Sequence, residues 1–564
     1  MSVSGSKQRN NKGWAASLRL LVAWTLLDVL CNARYPAPEP VLWYLLPAVD
    51  GTFLLAMVAG FAACGRRVPR ALIIVASVLI VAVRLFRIGD GVNRRYFNRP
   101  LTLGLDLPLA MDLVRLLKDT LSHPSLVVGV PLAVAVLVGI GFVAGGALRV
   151  AERALTVTPA RNVFFGVVAL AALASPFVRD RGNDTDRSVP GTYAEGAARE
   201  PLRTGAFGAS AMPRLVREFQ FAVRLDRYRQ AQAGRIEAVG RALTSSPHGL
   251  ESLHGTPVFI FLIESYGAVT LDQPDHANRL GTAWDAATST LEAHGFTVAS
   301  SLLDSPTYAG RSWLAHTTLT TGVRATELVT DRLVQDRRPV SLARFFHDAG
   351  YRTVLVQPAN HYPNLLRWLY DFDTVYSGWD FDYRGPTYAW ARMPDQYVLD
   401  FVHRRELSAP SQPMLAVYTL ITSHAPWSDL PPIIADWSSI GDGATYRTRA
   451  TTHFPITWTN LPDAAEAYDR SVIYDLNVIA DHASRSLPEG ALVIVLGDHQ
   501  PVAEVTRGSA STAVPIHVLS RNHALVAPFL ARGYRRGMRP ARDGQPPRGM
   551  ETFLPDLLAD FSGL

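Results

Sequence analysis

Five apolar runs crowd the first third of the chain, at residues 14–30, 41–63, 71–86, 126–147 and 162–178. About 17 to 23 residues suffice to cross a bilayer as a helix, so each run reads as a candidate span. A membrane region of about five helices must then come first, and a water-soluble region second. At 564 residues the chain is too long for one core, and two or more domains are expected. Hydrophobic residues make up 48% and charged residues 18%, and the apolar excess lies before Val178.

Short basic flanks orient the spans. Lys7, Arg9 and Lys12 precede the first run, Arg66, Arg67 and Arg70 separate the second from the third, and Arg149, Arg153 and Arg161 separate the fourth from the fifth. With five spans all three groups share one side, which the positive-inside rule makes cytoplasmic. The rest of the chain is then extracytoplasmic or periplasmic, and the protein is expected to be multi-pass in the plasma (inner) membrane. The loop at residues 87–124 is also basic, through Arg94, Arg95, Arg99, Arg115 and Lys118, yet falls outside. Its amphipathic part, residues 107–121, reads either as a helix in the headgroup layer or as a solvated connector. Charges within the first and third runs (Arg19, Asp28, Arg84) read as snorkelling or bundle-facing, and the third span is expected to be short. The charge-interrupted first run reads as an uncleaved anchor rather than a signal peptide.

The net charge of +6 is spread thinly, and no Lys/Arg block with interleaved aromatics suggests nucleic acid. Cys31 and Cys64 both lie in or beside apolar runs. The soluble region therefore has no disulfide and no cysteine-based zinc site.

Residues 179–214, rich in Gly, Arg, Asp, Ser and Pro, read as a linker, and Leu215, Phe219, Ala222 and Leu225 recur at helical spacing. The expected division is a transmembrane domain at 1–178, a linker and connecting helix at 179–256, and a catalytic domain at 257–564. Within the last, strand-like runs at 257–263, 296–303, 353–357, 414–422, 492–496 and 514–519 alternate with helix-like runs at 340–349, 395–407 and 463–486. Such alternation predicts an α/β fold with a mainly parallel sheet covered by helices on both faces. Functional side chains are expected at the carboxyl ends of the strands.

Two strand-like runs end in ligand-type residues. ALVIVLGDHQP, residues 491–501, stops abruptly at Asp498 and His499, and PVFIFLI, residues 257–263, runs straight into Glu264 and Ser265. A carboxylate and an imidazole at neighbouring strand ends suggest one metal centre, although each alone could be an ordinary turn or cap residue. A third stretch, SPTYAGRSWLAHTTLTTG, puts Ser312 at a helix start, where backbone N–H groups attract phosphate or sulfate. An N-cap serine would use the same geometry. A fourth, TSHAP, puts His424 on a loop after a strand, where imidazole can bind substrate or protonate a leaving oxygen. His316, one turn beyond Ser312, together with His361 and Arg311, are weaker substrate-contact candidates, with His316 as readily structural.

Taken together, ESYG at Glu264, GRSW at Ser312, SHAPW at His424 and GDHQP at Asp498, in that order behind five spans, resemble the sulfatase-like branch of the alkaline phosphatase superfamily. The layout looks like that of the lipoteichoic acid synthases, with lipid phosphoethanolamine transferases a step further away. The resemblance implies that Glu264, Asp498 and His499 bind one divalent metal ion (manganese, magnesium or zinc), with the Ser312 hydroxyl as remaining ligand and as nucleophile. It implies that His424 contacts substrate and assists the leaving group. The implied activity is transfer or hydrolysis of a phospho-headgroup, of phosphoglycerol or phosphoethanolamine type, on a membrane lipid or envelope glycan. Some positions depart from the pattern. Those transferases use Thr where this chain has Ser312. The Cys/Ser-x-Pro-x-Arg signal of formylglycine sulfatases is missing, since Trp313, Leu314, Ala315 and His316 follow Ser312. Glu264 and Ser265 also stand where sulfatases open with paired aspartates. Sulfate-ester hydrolysis by the unmodified serine, and a catalytically silent membrane scaffold, are the alternatives.

Overall fold

The structure, a computed structural model, describes residues 3–33, 47–96, 99–109, 123–174, 210–245, 250–361, 370–388, 390–408, 412–458, 460–509, 511–542 and 544–563. The chain divides into two compact units, Met1–Asp226 and Arg227–Leu564, with the division inside the helix Met212–Ser245.

In the first unit the apolar runs become the helices Val3–Asn32, Val49–Ala63, Arg70–Tyr96, His123–Leu155 and Thr158–Ala174. Three stretches, Lys12–Asn32, Arg70–Arg95 and Leu126–Leu155, are long and apolar enough to cross a membrane, while Val49–Ala63 and Thr158–Ala174 are shorter apolar helices. Parts of the second and fifth runs, residues 41–46 and 175–178, lie outside the described residues. Leu20, Leu27, Leu55, Val58 and Phe164 form the interior, while Phe142 and Val128 point outward, as helices solvated by lipid tails allow. The third helix is longer than expected. Its polar end is stabilised by burial of Asp90, which pairs with Arg94 at 2.9 Å and accepts the Leu101 N–H at 3.1 Å. Asp28 faces the bundle, accepting the Ala48 N–H at 3.0 Å, whereas Arg19 is exposed. Of the amphipathic stretch, Leu107–Leu109 form one 3-10 turn and residues 110–122 lie outside the described residues.

Among the described residues the second unit has, in chain order, the strands β1 Val258–Ile263, β2 Thr297–Asp304, β3 Arg352–Gln357, β4 Thr374–Ser377, β5 Met414–Leu420, β6 Asp429–Leu430, β7 Thr452–His453, β8 Leu492–Gly497, β9 Ala513–Ser520, β10 Arg535–Arg536 and β11 Arg548–Gly549. All but β6 and β7, which make a separate ribbon, join one sheet in the order β10-β2-β9-β8-β1-β5-β3-β4, with β11 also on β2. Strands β4, β3, β5, β1 and β8 are mutually parallel, and β9 runs antiparallel between β8 and β2. Every residue of β1 (VFIFLI) and β8 (LVIVLG) is buried, because helices cover both faces. One face packs Trp284 of the helix Pro274–Ala293 and Leu476 of the helix Ala465–Arg485, and the other packs Leu319, Phe346 and Leu554.

Register fixes where chemistry can gather. Ile263 lies opposite Leu420 on one side and Gly497 on the other, so β1, β5 and β8 end level. Expected boundaries shift where side chains compete for the backbone. β5 stops at Leu420 rather than residue 422, since the N–H groups of Ile421 and Thr422 turn to the carboxylate of Asp395. The helix expected at 395–407 is α-helical only over Asp395–Val402 and continues as a π turn, His403–Leu407. The one expected from 463 starts at Ala465, after a 3-10 turn containing Pro462.

Candidate active site

The level ends of β1 and β8 bring Glu264 and Asp498 side by side. The Asp498 N–H donates to the Ile263 carbonyl at 3.3 Å, and the Ser265 N–H returns to Asp498 Oδ1 at 2.8 Å. His499 follows directly, its Nε2 lying 3.3 Å from Glu264 Oε1 and 3.5 Å from Asp498 Oδ2. Its Nδ1 lies 2.8 Å from the Gln500 carbonyl, which only an N–H can approach so closely, so Nε2 is the atom left facing the carboxylates. Such tight strand ends require Gly497: a Cβ there would sit 1.8 Å from the Tyr266 carbonyl oxygen.

Ser312 arrives from elsewhere in the sheet. After β2 the chain makes a turn in which Ala309 (φ 54°), Gly310 (φ 121°) and Arg311 (φ 60°) all adopt left-handed conformations. Three in a row, two of them with a Cβ, is a costly backbone that only its surroundings can hold. Those surroundings are visible: Ser305 Oγ donates to the Asp498 carbonyl at 2.6 Å, the Ala309 N–H to the Gln500 carbonyl at 3.0 Å, and Thr307 Oγ1 to the Gly310 carbonyl at 2.8 Å. The turn delivers Ser312 as first residue of the helix Ser312–Thr321. Its Oγ donates to Glu264 Oε2 at 2.9 Å and lies 3.1 Å from His499 Nε2.

These four side chains therefore converge on one point. Ligand atoms of Glu264, Asp498 and His499 all lie within 4.8 Å of one another, and all three residues are buried. Asp498 Oδ2 is buried, and among the described residues it accepts no hydrogen bond. Burial would depress His499, but the two carboxylates reverse that and hold it up to about 9. Burial and the charge of Glu264 push Asp498 up to about 8. Burial also opposes ionisation of Glu264, yet the charge and hydrogen bonding of His499 hold it below the usual carboxylate range. Two buried carboxylates around an unfilled acceptor want a cation, and a donor set of hard oxygens plus one imidazole fits manganese, magnesium or zinc.

His424 lies on the loop after β5, near enough to Glu264 and His499 to feel both charges. Burial lowers its pKa, its Nδ1 is held 2.6 Å from the Ala425 carbonyl, and its ring stacks on Trp390 with centroids 3.8 Å apart. His316 is buried on the Ser312 helix, in the electrostatic reach of Glu264, and burial lowers it to about 4. Its Nδ1 lies 3.4 Å from Gln357 Nε2, and its Nε2 is buried without a hydrogen bond. Arg311 forms the N-cap position before Ser312. His361 stands apart: it takes Arg392 Nη1 at 3.2 Å and packs edge-on against Trp379, and among the described residues no hydrogen bond ties it to the cluster. Sequence reasoning missed Trp390 and Asp395. Nothing marks Trp390 in the sequence, whereas Asp395 after Pro394 reads as a helix start and conceals its hold on the loop before His424.

No family model and no curated protein matches the chain. Solved structures do align with it. The lipoteichoic acid synthase LtaP from Listeria monocytogenes aligns at 14% identity over 54% of this chain and 72% of that one, with a TM-score of 0.33. A Streptococcus pyogenes phosphoglycerol transferase, GacH, in complex with sn-glycerol-1-phosphate, aligns at 12% identity over 59% and 91%, with a TM-score of 0.31. A protein in the alkaline phosphatase superfamily from Vibrio parahaemolyticus aligns at 14% identity over 47% and 60%, with a TM-score of 0.30.

Proposed function

We propose that this protein is a membrane-anchored, metal-dependent phosphotransferase or phosphodiesterase that uses Ser312 as nucleophile on a phospho-headgroup of a lipid or envelope glycan, outside the cytoplasm. The observation that carries the reading is the position of Ser312 Oγ, 2.9 Å from Glu264 Oε2 and 3.1 Å from His499 Nε2, beside the unfilled Asp498 Oδ2. Glu264, Asp498, His499 and the Ser312 hydroxyl would hold one divalent ion, which would lower the pKa of the hydroxyl and draw charge from the phosphoryl oxygens.

The chain's own groups supply the rest. Ser312 Oγ is held between Glu264 Oε2 and His499 Nε2, and with its pKa lowered by a bound cation it would lose its proton to water before closing on phosphorus. Backbone N–H groups in the first turn of the helix Ser312–Thr321 face the phosphoryl oxygens as helix N-termini do. With Nδ1–H engaged by the Ala425 carbonyl, His424 presents Nε2 to the leaving oxygen, and its imidazolium form, populated below its lowered pKa, gives up the Nε2 proton as the P–O bond breaks. An acceptor alcohol or water then loses its proton to His424 and releases the phosphoryl group from Ser312. Phosphoryl transfer asks a protein mainly for positioning and charge, which this arrangement offers. Ser312→Ala in the purified full-length protein is expected to abolish phosphodiester turnover while the melting temperature stays within a few degrees. Turnover at the wild-type rate would remove Ser312 from the reaction and with it the proposal.

A further inference from the structure

We propose that Asp395 is a positioning residue for His424, its buried carboxylate clamping the two residues that lead into the Ser423–His424 loop. The inference rests on the reading of His424 as leaving-group acid and adds a residue to it. Asp395 is fully buried at the start of the helix Asp395–Val402. Its carboxylate accepts the Ile421 N–H at 2.9 and 3.0 Å and the Thr422 N–H at 2.6 Å, while its own N–H donates to Thr422 Oγ1 at 3.2 Å. From there the bonds run on without a gap. The Ile421 carbonyl accepts the His424 N–H at 3.1 Å, and Ser423 Oγ donates to the carbonyl of Glu264 at 2.8 Å. His424 is thus fixed at one end to Asp395 and at the other to the end of β1.

A second buried carboxyl lies close to Asp395. Asp475, fully buried on the helix Ala465–Arg485, approaches Asp395 and Ser423, yet neither of its oxygens accepts a hydrogen bond of ordinary geometry. Burial pushes both carboxyls upward, and the charge of Asp395 pushes Asp475 further. Asp395, with backbone N–H donors around it, is suited to the charged form, and Asp475 to the protonated one. The clamp therefore needs an acceptor at 395 and a donor at 475. Asn at 395 would turn N–H groups on N–H groups, whereas Asn at 475 still offers a donor.

The test uses the full-length protein supplied with the divalent ion and two substrates sharing one phosphoryl group. One is an alkyl p-nitrophenyl phosphodiester, whose leaving group needs no proton, and the other is the matching dialkyl diester, whose leaving group does. Loss of the acid contributes about 10²–10⁴-fold, so His424→Gln should slow the dialkyl ester by that factor and leave the p-nitrophenyl ester far less affected. Asp395→Asn is expected to show the same split, on the order of 10²-fold on the dialkyl ester, as misplacement by about 1 Å can cost. Asp475→Asn should cost less than Asp395→Asn, and bound metal measured by mass spectrometry should be unchanged in all three. Equal slowing of both esters by Asp395→Asn, or loss of its metal, would overturn the positioning role while leaving His424 in place. A His424→Gln variant without the split would remove the reading beneath it as well. Should Asp395→Asn not fold, Thr422→Val, which removes only the hydroxyl facing the Asp395 N–H, decides by the same split.

Discussion

Gly497→Ala tests whether the level ends of β1 and β8 are what aligns the site. The new methyl would lie 1.8 Å from the carbonyl oxygen of Tyr266 and 2.8 Å from its carbonyl carbon, both backbone atoms that no rotamer can move. To reach about 3.0 Å, the shortest contact a real Cβ tolerates, the two strand ends must separate by more than 1 Å. Overpacking of this kind costs about 1–3 kcal/mol in stability. The larger effect falls on function, since the separation opens Glu264 from Asp498 and a displacement of that size costs on the order of 10²-fold in rate. Turnover of a phosphodiester and bound metal, measured on the same preparation, should both fall. Gly240→Ala is the control: nothing lies within 4 Å of its Cβ in the helix Met212–Ser245, so it should be neutral or slightly stabilising. Wild-type metal content and a rate within threefold of wild type in Gly497→Ala would refute the argument.

Removing divalent ions with a chelator should lower the melting temperature, because Glu264 and Asp498 lose their counter-cation; an ion at a hundredfold excess over its Kd contributes about 2.7 kcal/mol, and an identical melt with and without chelator would speak against metal binding. Paired phosphate and sulfate esters assayed side by side should show phosphate turnover, and a preference for sulfate would favour the sulfatase alternative. His517 supplies a pH dependence. Burial depresses its imidazole to about 3, below the unfolded 6.5, so its contribution is fully present above pH 6.5 and is lost as pH falls toward 3. By pH 5 that loss is about 2 kcal/mol, and the melting temperature of wild type should fall more steeply from pH 7.5 to 5 than that of His517→Gln.

Much of the α/β unit was legible because buried parallel strands announce themselves as unbroken apolar runs: VFIFLI and LVIVLG are strands within a residue of where their sequences end them. The clustering of Glu264, Asp498 and His499 was legible for the same reason, since a charged side chain directly after such a run is left at the strand's carboxyl end. Less could be read where side chains outbid the backbone. Asp395 draws off two N–H groups that an apolar-run argument assigns to β5, and local pattern carries no trace of a partner 26 residues away. The antiparallel course of β9 was equally hidden, as AVPIHVLS is as apolar as its parallel neighbours and direction is set by connection. His361 was singled out for its place after β3, and local pattern carried no trace of its contact with Arg392, 31 residues on.

The place of β9 carries a consequence for biogenesis. Residues 513–520 lie between β2, which leads to Ser312, and β8, which ends at Asp498. Until that late segment has been synthesised, β2 and β8 have no strand between them, and the Ser312 turn is tied to the Asp498 segment only through bonds such as those of Ser305 and Ala309. A chain halted before residue 513 would hold Glu264, Ser312, Asp498 and His499 without the strand that sets their two parts of the sheet side by side, so the candidate site is assembled only near the end of synthesis.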